Sequence, residues 1–199
     1  MFSLPVEKTV PVYRPMGKLA QEVNIKQDLV ASGKYCRRKA KRLIPKYITI
    51  HSTANMTADA YQHAKALKNG RIRGGTVGCL GWHFTVDQRV AVQHMPLTEQ
   101  GHHAEFDGPG NRYSFGIEMC EFRGNSMPRT YDRTAKLAAV LMKRYKIPLR
   151  NVVPHYYWTR KNCPRPLLEN GVPGRNWAWF LSRVDYYYRC INNGVSNRG

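Results

Sequence analysis

The sequence of 199 residues has no run of about 18 consecutive apolar residues, the length that a membrane-spanning helix needs. We therefore expect no membrane span. The opening segment, MFSLPVEKTVPVYRPMG, also lacks the apolar centre of a signal peptide. Either export uses another route or a leader was removed from this chain.

Motifs of several binding classes are missing as well. The five cysteines form no CxxC pair, which excludes zinc fingers and thioredoxin-like redox sites. There is no RRM-type aromatic signature, no C2H2 finger spacing and no glycine-rich phosphate loop, so specific nucleic-acid binding has no support beyond charge. Without repeats or low-complexity segments, and with 42% hydrophobic residues, the composition is typical of one globular domain.

Acidic residues are scarce. The chain has 13 Asp and Glu against 32 Lys and Arg, a formal net charge of +19, which predicts a polyanion or an anionic surface as partner. Nucleic acid, acidic lipid and an anionic cell-wall polymer all fit. The densest basic segment is KYCRRKAKRLIPK (34–46), and its alternative interpretation is a solvated basic arm.

Hydrophobic periodicity predicts alternating strands and helices. Strands are expected at 46–52, 113–122 and 151–156, with a hairpin over 81–96 that turns at Asp87 and Gln88. Helices are expected at 57–70, with Thr57 as N-cap and Gly70 just past the end, at 130–146 and at 174–191. This order indicates an α/β fold, a central mixed β-sheet flanked by helices.

Two histidines and a cysteine suggest a metal site. A catalytic zinc usually has three protein ligands and an open position. His51 ends the first predicted strand, whereas His155 and Cys163 flank a loop much later in the chain. A sheet can bring such strand ends together. Spacing alone leaves alternatives open, namely a hydrogen-bonded surface histidine, half of a disulfide, or an ordinary aromatic loop.

Four ordered segments carry a resemblance to a known family: ITIHSTAN (48–55), GWHFTVD (81–87), GNRYSFGIEMC (110–120) and VVPHYYWTRKNCPRPLL (152–168). Together they resemble the zinc-dependent N-acetylmuramoyl-L-alanine amidases of type 2, a superfamily that includes autolysins, prophage endolysins, a coliphage lysozyme and the peptidoglycan recognition proteins. VNIKQDLVASGKY (23–35) and AYQHAKALKNG (60–70) extend the likeness to the bacillary autolysin and prophage endolysin branch. The resemblance spans about residues 23–190.

The resemblance implies a role for each matching residue. His51, His155 and Cys163 match the ligands of one catalytic Zn²⁺. Glu118 matches the glutamate that serves as general base and acid, and Lys161 matches a lysine that would stabilise an oxyanion. Taken without the motif, Glu118 is better interpreted as a salt-bridged strand residue, and Lys161 even more so as one more surface cation.

Three further residues are expected at the substrate. The coliphage lysozyme and the recognition proteins place a tyrosine where this chain has Trp82, but those branches generally lack the glutamate. An indole is neither acid nor base at neutral pH, so Trp82 is expected as a groove wall or core residue. His103, in HHAE, matches a residue of the loop that lines the groove, and Asn111 matches a family turn; both are candidates for substrate contact, with loop closure as the alternative for Asn111.

The resemblance therefore implies a peptidoglycan amidase that cleaves the bond between N-acetylmuramic acid and L-alanine of the stem peptide. A non-catalytic peptidoglycan-binding module is the main alternative, and a polyanion-binding domain is a third that only charge supports. We expect an N-terminal extension (1–22), a catalytic domain (23–191) and a C-terminal tail (192–199). The expected partners are peptidoglycan or muramyl-peptides and, through the basic surface, anionic wall polymers. The protein is expected to act on the bacterial cell wall as a monomer, without binding specific nucleic acid.

Overall fold

The structure is a computed structural model that describes residues 10–72, 80–104 and 107–193. Its helices are α1 (Met16–Val23), α2 (Ala60–Lys68), α3 (Pro109–Tyr113), α4 (Met127–Tyr145), α5 (Tyr156–Thr159) and α6 (Arg175–Asn192). Its strands are β1 (Ile25–Gln27), β2 (Tyr47–Ser52), β3 (Phe84–Val86), β4 (Ala91–Gln93), β5 (Ser114–Met119), β6 (Val152–Pro154), β7 (Leu168–Glu169) and β8 (Val172–Pro173). The sequence RIRGGTVG (71–78) is a basic, glycine-rich segment that we expect to be a connector, and its residues 73–78 lie outside the described part of the chain.

A mixed six-stranded sheet forms the centre of the fold, in the order β1-β4-β3-β5-β2-β6. Strands β3, β5, β2 and β6 run parallel, whereas β4 pairs antiparallel with β3 in the predicted hairpin. Strand β1 pairs parallel with β4 at the edge. Strand β2 lies between β5 and β6, so the carboxyl ends of these three strands meet at one edge of the sheet, where open α/β sheets bind ligands.

Alternation along the strands gives the sheet two different faces. In β5, Phe115, Ile117 and Met119 belong to the main hydrophobic core, and Gly116 and Glu118 between them point the other way. Successive residues of another strand likewise contact helices on opposite faces of the sheet. In β4, Ala91 packs in the main core, whereas the next residue, Val92, packs with α2. Helices therefore cover both faces, which confirms the predicted fold class.

The main core is closed by a layer of three helices. Helix α4 packs against both α1 and α6. The apolar stripe predicted for α4 is confirmed, since Ala135, Ala138 and Met142 are fully buried. From α6, Phe180 and Val184 enter the same core. At about 25 cal/mol per Å² of apolar surface, this burial is the main stabilising contribution to the fold.

Two helix starts differ from their predictions. The N-cap of α2 is Asp59, not Thr57: the Asp59 side chain accepts from the Gln62 N–H at 2.9 Å, and the Gln62 side chain accepts from the Asp59 N–H at 2.8 Å. This capping box satisfies two orphan donors, whereas the Thr57 hydroxyl is bonded to Asn55. Helix α4 begins at Met127, three residues before the predicted start, because Pro128 is compatible with a first helical turn.

Three helices were not predicted, namely α1, α3 and the one-turn helix α5. Helix α1 buries Leu19 and Val23 completely, one helical turn apart, so the expected boundary after residue 22 falls inside it. Helix α3 covers the end of TEQGHHAEFDGPGNR (98–112), a polar, glycine-containing segment that the sequence alone predicts to be a loop. The sequences of α1 and α3 lack a strong capping signal. In addition, the buried side of α1 consists of only two residues, which are too few to show a helical periodicity.

The basic segment 34–46 is not uniformly solvated. Arg37 is buried and forms a bidentate ion pair with Glu99, with two N–O distances of 2.7 Å. The segment's other cations, Lys34, Arg38, Lys39, Lys41, Arg42 and Lys46, are exposed. No helix within the described part of the chain is long and apolar enough to cross a bilayer.

Candidate active site

The candidate catalytic residues meet at the carboxyl ends of three parallel strands. His51 is the fifth residue of β2, and its register partner in β5 is Glu118. His155 directly follows β6, and its backbone N–H donates to the carbonyl of Ile50 in β2. Cys163 arrives from the loop after α5, where its carbonyl accepts from the Tyr156 N–H. Residues that are distant in sequence thus become neighbours.

The three predicted ligands form one cluster. The ligand atoms of His51, His155 and Cys163 all lie within 4.8 Å of one another, and all three residues are buried. The Cys163 sulfur lies 3.8 Å from His51 Nδ1. His155 Nδ1 is buried without a hydrogen-bond partner among the described residues. Since buried polar atoms rarely lack partners, this orphaned nitrogen and the N, N, S donor set fit a metal ion.

The protonation states of the imidazoles suit metal ligation. Burial lowers the pKa of His155 to about 4, with a further lowering by Lys161. Burial, His103 and His155 hold the pKa of His51 well below its ordinary value. Both rings are therefore neutral at pH 7, as a metal ligand must be. Cys163 is a free thiol, so the disulfide interpretation is wrong for the structure described here.

Glu118 lies beside the cluster with its carboxylate facing His51. One carboxylate oxygen is 3.9 Å from His51 Nδ1, and the other is buried without a hydrogen-bond partner in the described structure. Burial raises the pKa of Glu118 to about 8, against an opposing effect of Lys161. A carboxyl group with a pKa near neutrality can accept a proton in one step and donate it in the next.

A cleft of about 330 Å³ opens over this cluster. Lys161 is exposed at its edge, next to Asn162 and close enough to lower the pKa of Glu118 and of His155. Trp82 also lines the cleft, and its indole N–H donates to the Thr85 hydroxyl at 2.7 Å. Trp82 thus lines the cleft and also packs in a small core, the two positions that were expected as alternatives.

The other two predicted substrate residues have different positions. His103 lines the cleft, but it is 9% exposed and its Nδ1 lies 2.9 Å from His51 Nε2. The side chain of Asn111 is buried away from the cleft, and its oxygen accepts from the N–H groups of His103 and Ala104. Sequence reasoning missed this link between Asn111 and the ligands because it depends on tertiary contact.

Glu121 is a further residue that sequence reasoning missed. Its buried carboxylate accepts from the Ala54 N–H at 2.7 Å and from Arg165 at 3.2 Å. Ala54 has a φ of +48°, a left-handed conformation that is uncommon for alanine. Glu121 therefore stabilises the strained turn at Ala54 in the cleft wall. Through Arg165 it also links this turn to the segment that follows Cys163. The only sequence signal was an acidic residue in a basic chain.

Comparison with known proteins identifies the family. The family described as N-acetylmuramoyl-L-alanine amidase matches residues 40–166, a range that contains the three predicted ligands, Glu118 and Lys161. This chain belongs to the N-acetylmuramoyl-L-alanine amidase family. The resemblance seen in the sequence motifs is thereby confirmed.

Relatives and solved structures agree with this assignment. The chain is 43% identical over 150 residues to the N-acetylmuramoyl-L-alanine amidase XlyA of Bacillus subtilis and 40% identical over 166 residues to the amidase CwlH of the same organism. These matches cover 74% and 81% of this chain but 48% and 61% of the two relatives, so the chain spans about half the length of the relatives.

The structural likeness is similarly extensive. The catalytic domain of XlyA matches with a TM-score of 0.70 and 38% identity, covering 81% of this chain and 99% of that domain. A mutant endolysin from Bacillus subtilis matches with a TM-score of 0.72 and 40% identity, covering 81% of this chain and 98% of the endolysin. The described fold thus matches nearly the whole of the XlyA catalytic domain.

Proposed function

We propose that this protein is a zinc-dependent amidase that hydrolyses the bond between N-acetylmuramic acid and the L-alanine of the peptidoglycan stem peptide. The observation that carries the proposal is the juxtaposition of His51, His155 and Cys163 with the buried carboxylate of Glu118 in one cleft. Family membership supports the reaction, and the donor set supports the metal.

His51, His155 and Cys163 would hold the zinc ion. When bound, zinc supplies Lewis acidity that activates water and polarises the scissile carbonyl. The two imidazoles are already neutral, and Cys163 must lose its proton because burial raises the pKa of its thiol to about 12 in the metal-free site. Metal binding is therefore coupled to release of a proton.

Glu118 moves the proton during hydrolysis. Its carboxylate accepts a proton from the attacking water, and the resulting carboxylic acid donates that proton to the nitrogen of the leaving L-alanine. Lys161 places a positive charge at the edge of the same cleft and stabilises the oxyanion of the tetrahedral intermediate. Trp82 and His103 line the cleft and are the proposed wall for the substrate.

The test uses purified muramyl-peptide with product analysis by mass. The wild-type protein is expected to release free stem peptide, and a chelator is expected to abolish release until Zn²⁺ is restored. Glu118→Gln, which keeps the shape of the side chain, is expected to lower kcat about 10²- to 10⁴-fold. Binding of muramyl-peptide without products from the wild-type protein would instead establish a non-catalytic binding module.

We propose further that the exposed cations concentrate the enzyme on anionic wall polymers. The six exposed Lys and Arg residues of segment 34–46 and the net charge of +19 support this partner class. Because salt screens such attraction, turnover of wall fragments should fall steeply as salt rises to physiological strength. A flat salt response would contradict a contribution of the basic surface.

A further inference from the structure

Two neighbouring residues of one loop contact the far sides of both ligand imidazoles. His103 Nδ1 lies 2.9 Å from His51 Nε2, and the carbonyl of Ala104 accepts from His155 Nε2 at 3.0 Å. In each ligand ring this leaves Nδ1 for the metal: His51 Nδ1 lies 3.8 Å from the Cys163 sulfur, and His155 Nδ1 is buried without a hydrogen-bond partner among the described residues. The dipeptide His103-Ala104 thus provides the hydrogen bonds that orient both histidine ligands.

Carbonyl acceptors fix the direction of these hydrogen bonds. Because a carbonyl only accepts, His155 carries its proton on Nε2 and presents a bare Nδ1. His103 Nε2 faces the carbonyl of Ser114 at 3.4 Å and therefore also carries the proton, which leaves His103 Nδ1 as an acceptor. His51 must then donate from Nε2 and present a bare Nδ1. Both ligands are held in the tautomer that binds a metal through Nδ1.

A single side chain holds this dipeptide in place. The amide oxygen of Asn111 accepts from the N–H of His103 at 2.8 Å and from the N–H of Ala104 at 2.9 Å. Asn111 is 2% exposed and sits in α3, directly before the strand that carries Glu118. Moving this oxygen would shift both hydrogen bonds to the ligand rings together.

Two glycines make room for the His103 ring. A Cβ built on Gly116 would lie 2.7 Å from two carbons of the ring, and a Cβ on Gly101 would also lie 2.7 Å from a ring carbon. Gly116 is in β5, two residues before Glu118, and its position in the FGIEMC motif is explained by this contact. The ring is thus fixed from the side as well as at both nitrogens.

We propose that Asn111 and His103 are positioning residues of the metal centre, acting together through the hydrogen bonds of His103 and Ala104 to His51 and His155. The inference rests on the proposed function, since it requires a metal at the cluster. It assigns Asn111, and part of the role of His103, to the metal centre instead of to substrate contact.

The test measures Zn²⁺ affinity of the full chain by competition with a chromophoric chelator. Asn111→Ala and His103→Phe remove the acceptors and are expected to weaken Zn²⁺ binding about 10- to 100-fold. Asn111→Asp keeps an oxygen in place, and His103→Asn keeps an acceptor near Nδ1. Both are expected to stay within about threefold of the wild-type protein, which is less than 1 kcal/mol.

A control variant separates positioning from general loss of structure. Asn125 also holds a loop, accepting from the Gln88 N–H and donating to the Cys120 carbonyl, but it contacts neither imidazole. Asn125→Ala should lower the free energy of unfolding and leave Zn²⁺ affinity unchanged. Equal weakening by Asn125→Ala and Asn111→Ala would overturn the proposal, as would wild-type affinity in Asn111→Ala and His103→Phe.

Three further results bear on the roles of Asn111 and His103 or on the proposed function. If Asn111→Ala does not fold, the His103 pair decides, because equal affinities of His103→Phe and His103→Asn contradict the proposal. Long-range ¹H–¹⁵N spectra of the zinc-loaded protein should show His51, His103 and His155 as Nε2–H tautomers, and any other tautomer contradicts it. Failure of the wild-type protein to take up Zn²⁺ would refute the proposed function itself.

Discussion

The two faces of the central sheet share their strands but are held in different ways. Toward α1, α4 and α6 the strands present apolar side chains such as Ile50 and Phe115, and burial stabilises that face. Toward the cleft, the intervening positions are polar and hydrogen-bonded to one another: the Thr49 hydroxyl lies 2.7 Å from the Ser114 hydroxyl and accepts from the Trp158 indole at 2.9 Å.

This difference shows how one set of strands serves two purposes. On the apolar face, side chains are interchangeable within limits of volume, because burial is non-directional. On the polar face each donor needs its acceptor, since a buried unpaired group costs about 1–3 kcal/mol. Substitutions on the first face should therefore change stability, and substitutions on the second should change metal binding and catalysis.

Two buried thiols provide the sharpest contrast. Cys163→Ala should abolish metal binding and remove several kcal/mol of transition-state stabilisation, a loss of about 10³-fold or more in kcat/KM. Cys190, fully buried in α6, leaves only a small cavity when changed to Ala, which costs about 1 kcal/mol of stability with activity intact. Amidase assays and urea unfolding of the metal-free variants would measure both effects. Similar activity losses for the two variants would break the comparison.

Phe180→Ala should show the opposite pattern. The ring is fully buried in the main core beside Trp177, with 5.5 Å between ring centroids. Its removal is expected to lower the free energy of unfolding by about 3–5 kcal/mol. The Zn²⁺ affinity of the remaining folded protein should match that of the wild type, and a parallel fall in affinity would show that the two faces are not separable.

Asp132 adds a pH-dependent contribution to the helical layer. Burial raises the pKa of its carboxyl, but hydrogen bonds from Tyr187, Lys136 and Arg183 outweigh burial and hold the pKa below its ordinary value. The stabilisation is therefore present at neutral pH and disappears as pH falls through the lowered pKa. Asp132→Asn should cost about 1–2 kcal/mol at pH 7, at the low end because the side chain is 35% exposed.

The measurement for Asp132 is urea unfolding as a function of pH. The stability difference between the wild-type protein and Asp132→Asn should begin to shrink below about pH 4, where the carboxylate becomes protonated in the unfolded chain, and should vanish once pH is below the lowered pKa of the folded protein. A constant difference from pH 7 to pH 3 would rule out the carboxylate charge as its cause.

Trp82→Phe should give the smallest effect. It removes the hydrogen bond to Thr85 but keeps an aromatic wall, so we expect a stability loss of about 0.5–1.5 kcal/mol with unchanged Zn²⁺ affinity. Trp82→Ala removes the wall as well and should raise KM for muramyl-peptide more than it lowers kcat. An unchanged KM in Trp82→Ala would remove this residue from the proposed substrate wall.

The same contrast between the faces explains what the sequence could predict. Residues such as Ala135, Ala138 and Met142 repeat with helical periodicity, and the strand that contains His51 alternates, so the pattern predicted helices α4 and α6 and most of the sheet. Helix α1 was missed because only Leu19 and Val23 mark its buried side. The packing of α1 against α4 is a tertiary contact, which the local sequence pattern does not reveal.

Within the site, the motifs predicted which residues lie together but not the hydrogen bonds that position them. His51, His155 and Cys163 do form a cluster, as the resemblance implied. His103 contacts His51, and Asn111 accepts hydrogen bonds from the backbone of His103 and Ala104. These contacts join segments whose spacing in the sequence does not predict that they meet. Hydrogen bonds between loops depend on the assembled fold, so they are invisible to local sequence pattern.

The position of β2 between β5 and β6 also has a kinetic consequence. His51 and Cys163 lie 112 residues apart, so their meeting requires the parallel pairing of β2 with β6, a pairing of high contact order, to be complete. Closing a segment of that length carries an entropy cost that local helix formation does not. During refolding, metal uptake should therefore lag behind the appearance of helical signal. Metal binding would then occur late in refolding and would indicate that the whole domain has assembled.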